Sequence, residues 1–150
     1  VAGLLKDQPK TIAVAESCTG GLLGRLLTDL PGSSSYFWGG VISYSNNAKT
    51  KMLNVDNAIL DKYGAVSPQT AEAMARGIVK QSGADIGVSI TGIAGPEGGT
   101  DSKPVGLVYI GLAEGGFCQS KELRFVGDRN GIRMLSAKSA LDIVRRHLQK

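Results

Sequence analysis

Aromatic residues make up only 5% of the 150-residue chain, and no run of Lys or Arg alternates with them. A nucleic-acid surface built on base stacking and phosphate contacts therefore has no footprint here. The net charge of +4 suits a small anionic ligand such as a phosphate. Cysteine is almost absent: Cys18 and Cys118 suggest neither a disulfide framework nor zinc-ligand spacing. Nor is there a signal peptide or an apolar segment long enough to span a bilayer. A cytoplasmic protein with reduced thiols and no membrane partner is expected. Histidine occurs once, at His147, near the chain end beside Arg145 and Arg146. It reads as a surface residue of a last helix whose basic end complements the helix dipole, which leaves no base for a Ser-His-Asp triad. The stock motifs are missing too. There is no G-x-x-x-x-G-K-[ST] phosphate loop, no G-x-G-x-x-G in a strand–helix context and no G-x-S-x-G elbow. The chain opens on VAGLLK with no methionine, which leaves room for residues upstream.

What is present suits one globular domain with one core: 42% hydrophobic and 20% charged residues in a chain of this length. Residues 1–8 read as the end of a helix. TIAVA (11–15) is a short β-branched apolar run, a buried strand. Leu22, Leu23, Leu26, Leu27 and Leu30 make a helical stripe over 18–29. YFWGGVISYS (36–45) reads as a strand, with Gly39-Gly40 marking a bulge or a close backbone approach. Short helices follow at 45–53, with Ser45 or Asn46 as N-cap, and at 58–64. Ser67-Pro68 then opens a longer helix that Gly83 closes. ADIGVSIT (84–91) is a second buried strand. Residues 107–113 and 118–126 form a hairpin across Glu114-Gly115-Gly116, and the last helix covers about 129–149. Mixed βα units with one antiparallel pair predict a three-layer α/β/α sandwich around a mixed, mostly parallel sheet.

Two loops carry chemistry, and each follows a buried strand. AESCTGG leaves the first, and TGIAGPEGGT leaves the other. In open α/β sheets ligands sit at the carboxyl ends of strands, so these loops share one crevice if the strands are neighbours. Both are rich in hydroxyl groups and glycine amides, which suit an oxyanion or a phosphate. Ser17 is a candidate nucleophile. Without a histidine its base would be a lysine, and Lys49 is the best placed: it lies in the first turn of SNNAKTKML, where the positive helix end disfavours its charge. The competing reading leaves Lys49 in solvent like Lys51. Cys18 is the rival nucleophile, since helix N-termini lower thiol pKa; otherwise it is a small packing residue. Glu16 could cap the following helix or contact a ligand amide, and Thr19 and Thr91 could be capping hydroxyls.

AESCTGG, GGVISYSNNAKTKMLNV, YGAVSPQTAEAMARG, SITGIAGPEGGTDSKPVG and the late GDR, taken together and in this order, resemble the C-terminal domain of the competence/damage-inducible protein CinA. The stand-alone form of that domain is a nicotinamide-nucleotide amidase. The resemblance runs over about residues 4 to 147. It implies the three-layer sandwich and hydrolysis of the carboxamide of nicotinamide mononucleotide to nicotinic acid mononucleotide and ammonia, in pyridine nucleotide salvage, with no metal and no organic cofactor. It puts the nucleophile at Ser17 and its base at Lys49, and Tyr44 lines the same catalytic site. Glu16, Thr19, Gly20 and Gly21 of the first motif and Thr91, Gly92, Ala94 and Gly95 of the second face the substrate, and Arg129 of GDR meets its phosphate through a forked guanidinium. Backbone amides of Thr19–Gly21 or Gly92 would hold the oxyanion. Asn47 stands where relatives commonly have Glu, and larger members of the family carry this domain behind an N-terminal one. A nucleotide-binding module without turnover, in which Lys49 pairs a phosphate, uses the same loops. A nucleic-acid partner would show affinity falling steeply with salt. Small α/β enzymes are often symmetric oligomers.

Overall fold

The computed structural model describes residues 1–150. Helix α1 (Ala2–Asp7) leads into β1 (Ile12–Glu16), α2 (Leu22–Thr28), a 3-10 turn at Ser33–Ser35 and β2 (Phe37–Ile42). Helices α3 (Asn46–Leu53), α4 (Asn57–Tyr63) and α5 (Pro68–Ser82) follow, then β3 (Ile86–Gly92), β4 (Leu107–Glu114), β5 (Phe117–Arg124) and α6 (Arg129–Leu148). The sheet order is β2-β1-β3-β4-β5. β1 pairs in parallel with both β2 and β3, whereas β3–β4 and β4–β5 are antiparallel. Four strands thus run one way and β4 alone runs back, which is the expected mixed, mostly parallel sheet.

Period-two patterning of β1 sorts the core into two layers. Ile12 and Val14 join Leu23, Leu27, Ile132 and Val144 on the face covered by α2 and α6, with α1 against α6. Ala13 and Ala15 join Leu53, Leu60, Met74 and Ile78 on the face covered by α5, with α3 and α4 behind it. On the α5 side the sheet presents small residues, and the helix backbone lies directly on them. A Cβ added at Gly87 would sit 2.4 Å from the Ala75 carbonyl oxygen, and one at Gly111 2.4 Å from that of Ala71. The β1–β2 connection takes one face and the β2–β3 connection the other, because both crossovers are right-handed and step in opposite directions across β1. The carboxyl ends of β1, β2 and β3 therefore open on one edge, where the strand order reverses.

The bulge expected at Gly39-Gly40 is present. Ile12 pairs with Phe37 but Ala13 with Gly39, so Trp38 is extra. Ser45, not Asn46, caps α3, accepting from the Ala48 amide. Two expectations need correction. The leucine stripe begins a turn later than read, at Leu22, because residues 17–21 form a tight turn; Leu30 lies beyond the helix and is exposed. His147 is not a surface residue. It is half-buried, pairs with Glu114 and stacks on Phe117. It sits at the edge where β1 begins, since Glu114 is opposite Ile86 in the ladder, and so lies at the far end of the sheet from Ser17.

Candidate active site

Ser17 is the first residue beyond β1, and both neighbouring strands hold it. Its amide donates to the Ile90 carbonyl, and the Glu16 carbonyl beside it accepts from Ser43. The chain then turns at once: the Gly20 amide returns to the Ser17 carbonyl, and Gly20 and Gly21 adopt positive φ (59° and 101°), a conformation only glycine takes without strain.

Glu16 is the cap of this turn rather than a ligand contact. It is 1% exposed, and its carboxylate accepts from the amides of Gly21 (3.1 Å), Leu23 (3.0 Å) and Gly24 (2.8 Å). A glutamine here would bring an NH2 group to a point where three donors converge. Glu16→Gln is therefore expected to lose about 2 kcal/mol of stability. Urea unfolding followed by circular dichroism reads this, and an unchanged midpoint would contradict the cap.

Accounting for the amides of residues 17–24 leaves two over. Ser17 and Gly20–Gly24 all donate within the fold, whereas Cys18 and Thr19 donate to no other residue. Of the amides read as oxyanion donors, those of Gly20 and Gly21 are already committed, and the Cys18 amide was not among them. The only sequence signal for it was its place immediately after the nucleophile candidate.

Lys49 is 1% exposed, so the solvent-exposed reading fails. Its Nζ lies 3.0 Å from Ser17 Oγ, 2.8 Å from the Ser43 carbonyl and 3.2 Å from the Tyr44 carbonyl. Burial lowers its pKa from 10.5 to about 8. Loss of hydration is the main cause, rather than the helix end invoked from sequence. In the neutral amine, the two N–H groups can serve the two carbonyls and leave the lone pair for the Ser17 hydroxyl. Cys18 is buried beside it, and burial pushes its thiol up to about 11, against the pull of its own amide and of Lys49. That is the opposite of an activated thiolate.

A pocket of about 260 Å³ opens over this pair, lined by Ser17, Cys18, Tyr44, Lys49, Thr91, Gly92, Ala94, Gly95 and Arg129, together with Ala65, Val66, Ile93, Glu97 and Gly98. Thr19, Gly20 and Gly21 do not line it. Thr19 is fully buried and its hydroxyl has no partner. The Thr91 hydroxyl donates to the Ala65 carbonyl, tying the β3 edge to the segment before α5. Arg129 donates to the Gly95 carbonyl (2.7 Å) and the Tyr44 hydroxyl (3.0 Å) at the pocket rim, and Tyr44 itself is 57% exposed. A second hollow of about 360 Å³ shares Ala94 and Arg129 and runs outward past Asp128 and Asn130. Ala65, Val66, Ile93, Glu97 and Gly98 were not foreseen. Ala65 and Val66 are distant in sequence from both motifs, and only the packing of α5 brings them in. Nowhere do three or more His, Cys, Asp or Glu residues gather as a metal cluster.

Residues 1–148 match the family described as CinA C-terminal domain. A CinA-like protein of Syntrophomonas wolfei is 64% identical over 99% of this chain and 36% of its own length. One of Synechocystis is 58% identical with the same coverage. The chain thus spans about a third of the curated relatives it matches. Among solved structures, competence/damage inducible protein CihA from Agrobacterium tumefaciens superposes with a TM-score of 0.93 at 38% identity, covering 97% of this chain and 89% of that one. A CinA superfamily protein from Klebsiella pneumoniae gives 0.95 at 32% identity, covering 99% and 92%.

Proposed function

Since the chain belongs to the CinA C-terminal domain family, we propose that it hydrolyses the carboxamide of nicotinamide mononucleotide, releasing nicotinic acid mononucleotide and ammonia, with Ser17 and Lys49 as the catalytic pair. The observation that carries the reading is the 3.0 Å contact between the Ser17 hydroxyl and a buried lysine whose pKa is brought down to about 8. An amine that gives up its own proton near pH 8 can take the proton as Ser17 Oγ bonds to the amide carbon. The amide of Cys18, which donates to no other residue and belongs to a residue that lines the pocket, would receive the oxyanion. As it collapses, the C–N bond breaks and the Lys49 proton goes to the leaving nitrogen, which departs as ammonia. Water then attacks the acyl-serine and gives its proton to Lys49, which returns one to Ser17 Oγ. In this reading the anionic end of the nucleotide reaches Arg129, whose guanidinium stands at the junction of the two hollows.

The binding-module alternative needs Lys49 to meet a phosphate. Its ammonium already has three partners inside the fold, which leaves it no free donor. Ammonia release by the purified chain tests the proposal. Steady turnover is expected, and tight nucleotide binding without ammonia would defeat it. Arg129→Ala should raise KM for the mononucleotide by about 10- to 100-fold while changing kcat less, if it makes a uniform contact to the phosphate. An equal effect on the nucleoside lacking the phosphate would remove Arg129 from that role.

A further inference from the structure

We propose that Arg133, a residue of α6 that does not line the pocket, is a positioning residue for the oxyanion donor of the Ser17 turn, the Cys18 amide; the inference rests on the amidase reading above. Arg133 Nε donates to the Cys18 carbonyl (3.1 Å) and Nη2 to the Thr19 carbonyl (2.9 Å). Those carbonyls belong to successive peptide groups just after the nucleophile. Both are trans, the only cis bond in the chain being Gly95–Pro96. In a trans peptide C=O and N–H point in opposite directions. Holding the Cys18 carbonyl therefore aims the Thr19 amide away from α6, and that amide has no acceptor within the fold. Holding the Thr19 carbonyl aims the Gly20 amide at the Ser17 carbonyl, the bond that closes the turn, and the Cys18 amide, on the opposite edge of the trans Ser17–Cys18 peptide, is aimed with it.

None of the six ion pairs in the structure includes Arg133. A half-buried guanidinium that makes no ion pair, committed to two carbonyls of one turn, puts positive charge directly behind its peptides. A charged donor on a carbonyl polarises the peptide and strengthens its N–H as a donor. Glu16 holds the downstream end of the same turn through three amides. Between these anchors the amide of Cys18, the residue of the turn that lines the pocket after Ser17, is set before substrate arrives, as an oxyanion site requires.

A plain staple between α6 and the turn would show up in stability, whereas the positioning role shows up in kcat. The test uses Arg133→Met and Arg133→Lys in the full chain. Arg133→Met is expected to lower kcat on nicotinamide mononucleotide by about 100-fold with KM within about threefold, the size seen when an oxyanion donor is lost. Arg133→Lys, which keeps the charge but reaches one carbonyl, should lie between, and added guanidinium at low millimolar concentration should restore part of the Arg133→Met rate. A kcat within about threefold of the parent, a loss confined to KM, or a loss that follows the fraction of folded protein in both variants would overturn the proposal. Should the parent release no ammonia, the amidase reading falls by itself. The rate at which a fluorophosphonate labels Ser17, which draws on the same donor, then decides for Arg133. Slowing by about tenfold or more in Arg133→Met supports it, and an equal rate rejects it.

Discussion

Ser17→Ala is expected to abolish ammonia release from nicotinamide mononucleotide, with a fall in kcat on the order of 10⁴-fold, while leaving the fold and nucleotide binding intact. The Ser17 hydroxyl makes one hydrogen bond, to Lys49, and the backbone around it is held by the β1–β3 ladder and by Glu16. Removing one oxygen should therefore cost the reaction its nucleophile and the structure little. Ammonia assays and nucleotide binding by calorimetry on the same preparation read both halves. The informative alternative is Cys18. With its thiol pushed up to about 11, only about one molecule in 10⁴ carries a thiolate at pH 7, so Cys18→Ser should retain most activity. A Ser17→Ala variant within about tenfold of the parent, together with an inactive Cys18→Ser, would transfer the nucleophile to Cys18 and end the dyad.

Lys49→Met should remove activity to a similar degree and stabilise the protein at neutral pH. A folded-state pKa of about 8 against an ordinary 10.5 means that the folded chain resists a proton the unfolded chain accepts. Below pH 8 that resistance opposes folding in full. It fades as pH rises through the window from 8 to 10.5, because the unfolded lysine also becomes neutral. Between pH 7 and pH 10 the parent should gain about 2 kcal/mol relative to Lys49→Met. Guanidinium unfolding of both proteins at the two pH values measures this difference, in which the other titrating groups largely cancel. A constant difference would mean that Lys49 is not held close to neutrality. The same pKa shapes the rate. With a neutral lysine as base, kcat/KM should rise about tenfold per pH unit below pH 7 and level off above about pH 8. A flat profile from pH 6 to pH 9 would remove Lys49 as the base.

In the proposed mechanism, stability given up at Lys49 for a reactive amine is the usual character of a catalytic position. The fold supports it with short-range devices. The Ser45 cap starts α3 so that its fourth residue points back over the end of β1, and two carbonyls of the preceding segment receive the amine.

The sequence by itself determined whatever depends on neighbours along the chain. Strand and helix periods, the Ser45 and Ser67 caps, the Gly83 stop and the glycine bulge opposite β1 are decided within a few residues, and they were legible as such. The candidacy of Lys49 beside Ser17 was legible as well, because His147 offered no base, but a solvent-exposed Lys49 read equally from the sequence. What only the tertiary structure decided depends on burial and on direction in space. Lys49 and Lys51 are alike in the sequence, yet one is enclosed and the other solvated, and burial sets the pKa. Glu16 read equally well as a ligand contact or a cap until three amides were seen converging on it. Cys18 read as a thiolate candidate until its desolvation outweighed everything around it. That the Cys18 and Thr19 amides of the Ser17 turn donate to no other residue depends on where every neighbouring amide finds its acceptor. Arg133, more than a hundred residues further on, has no local pattern at all: its two carbonyl partners exist only because α6 packs on β3 and α2 and so reaches the turn between β1 and α2.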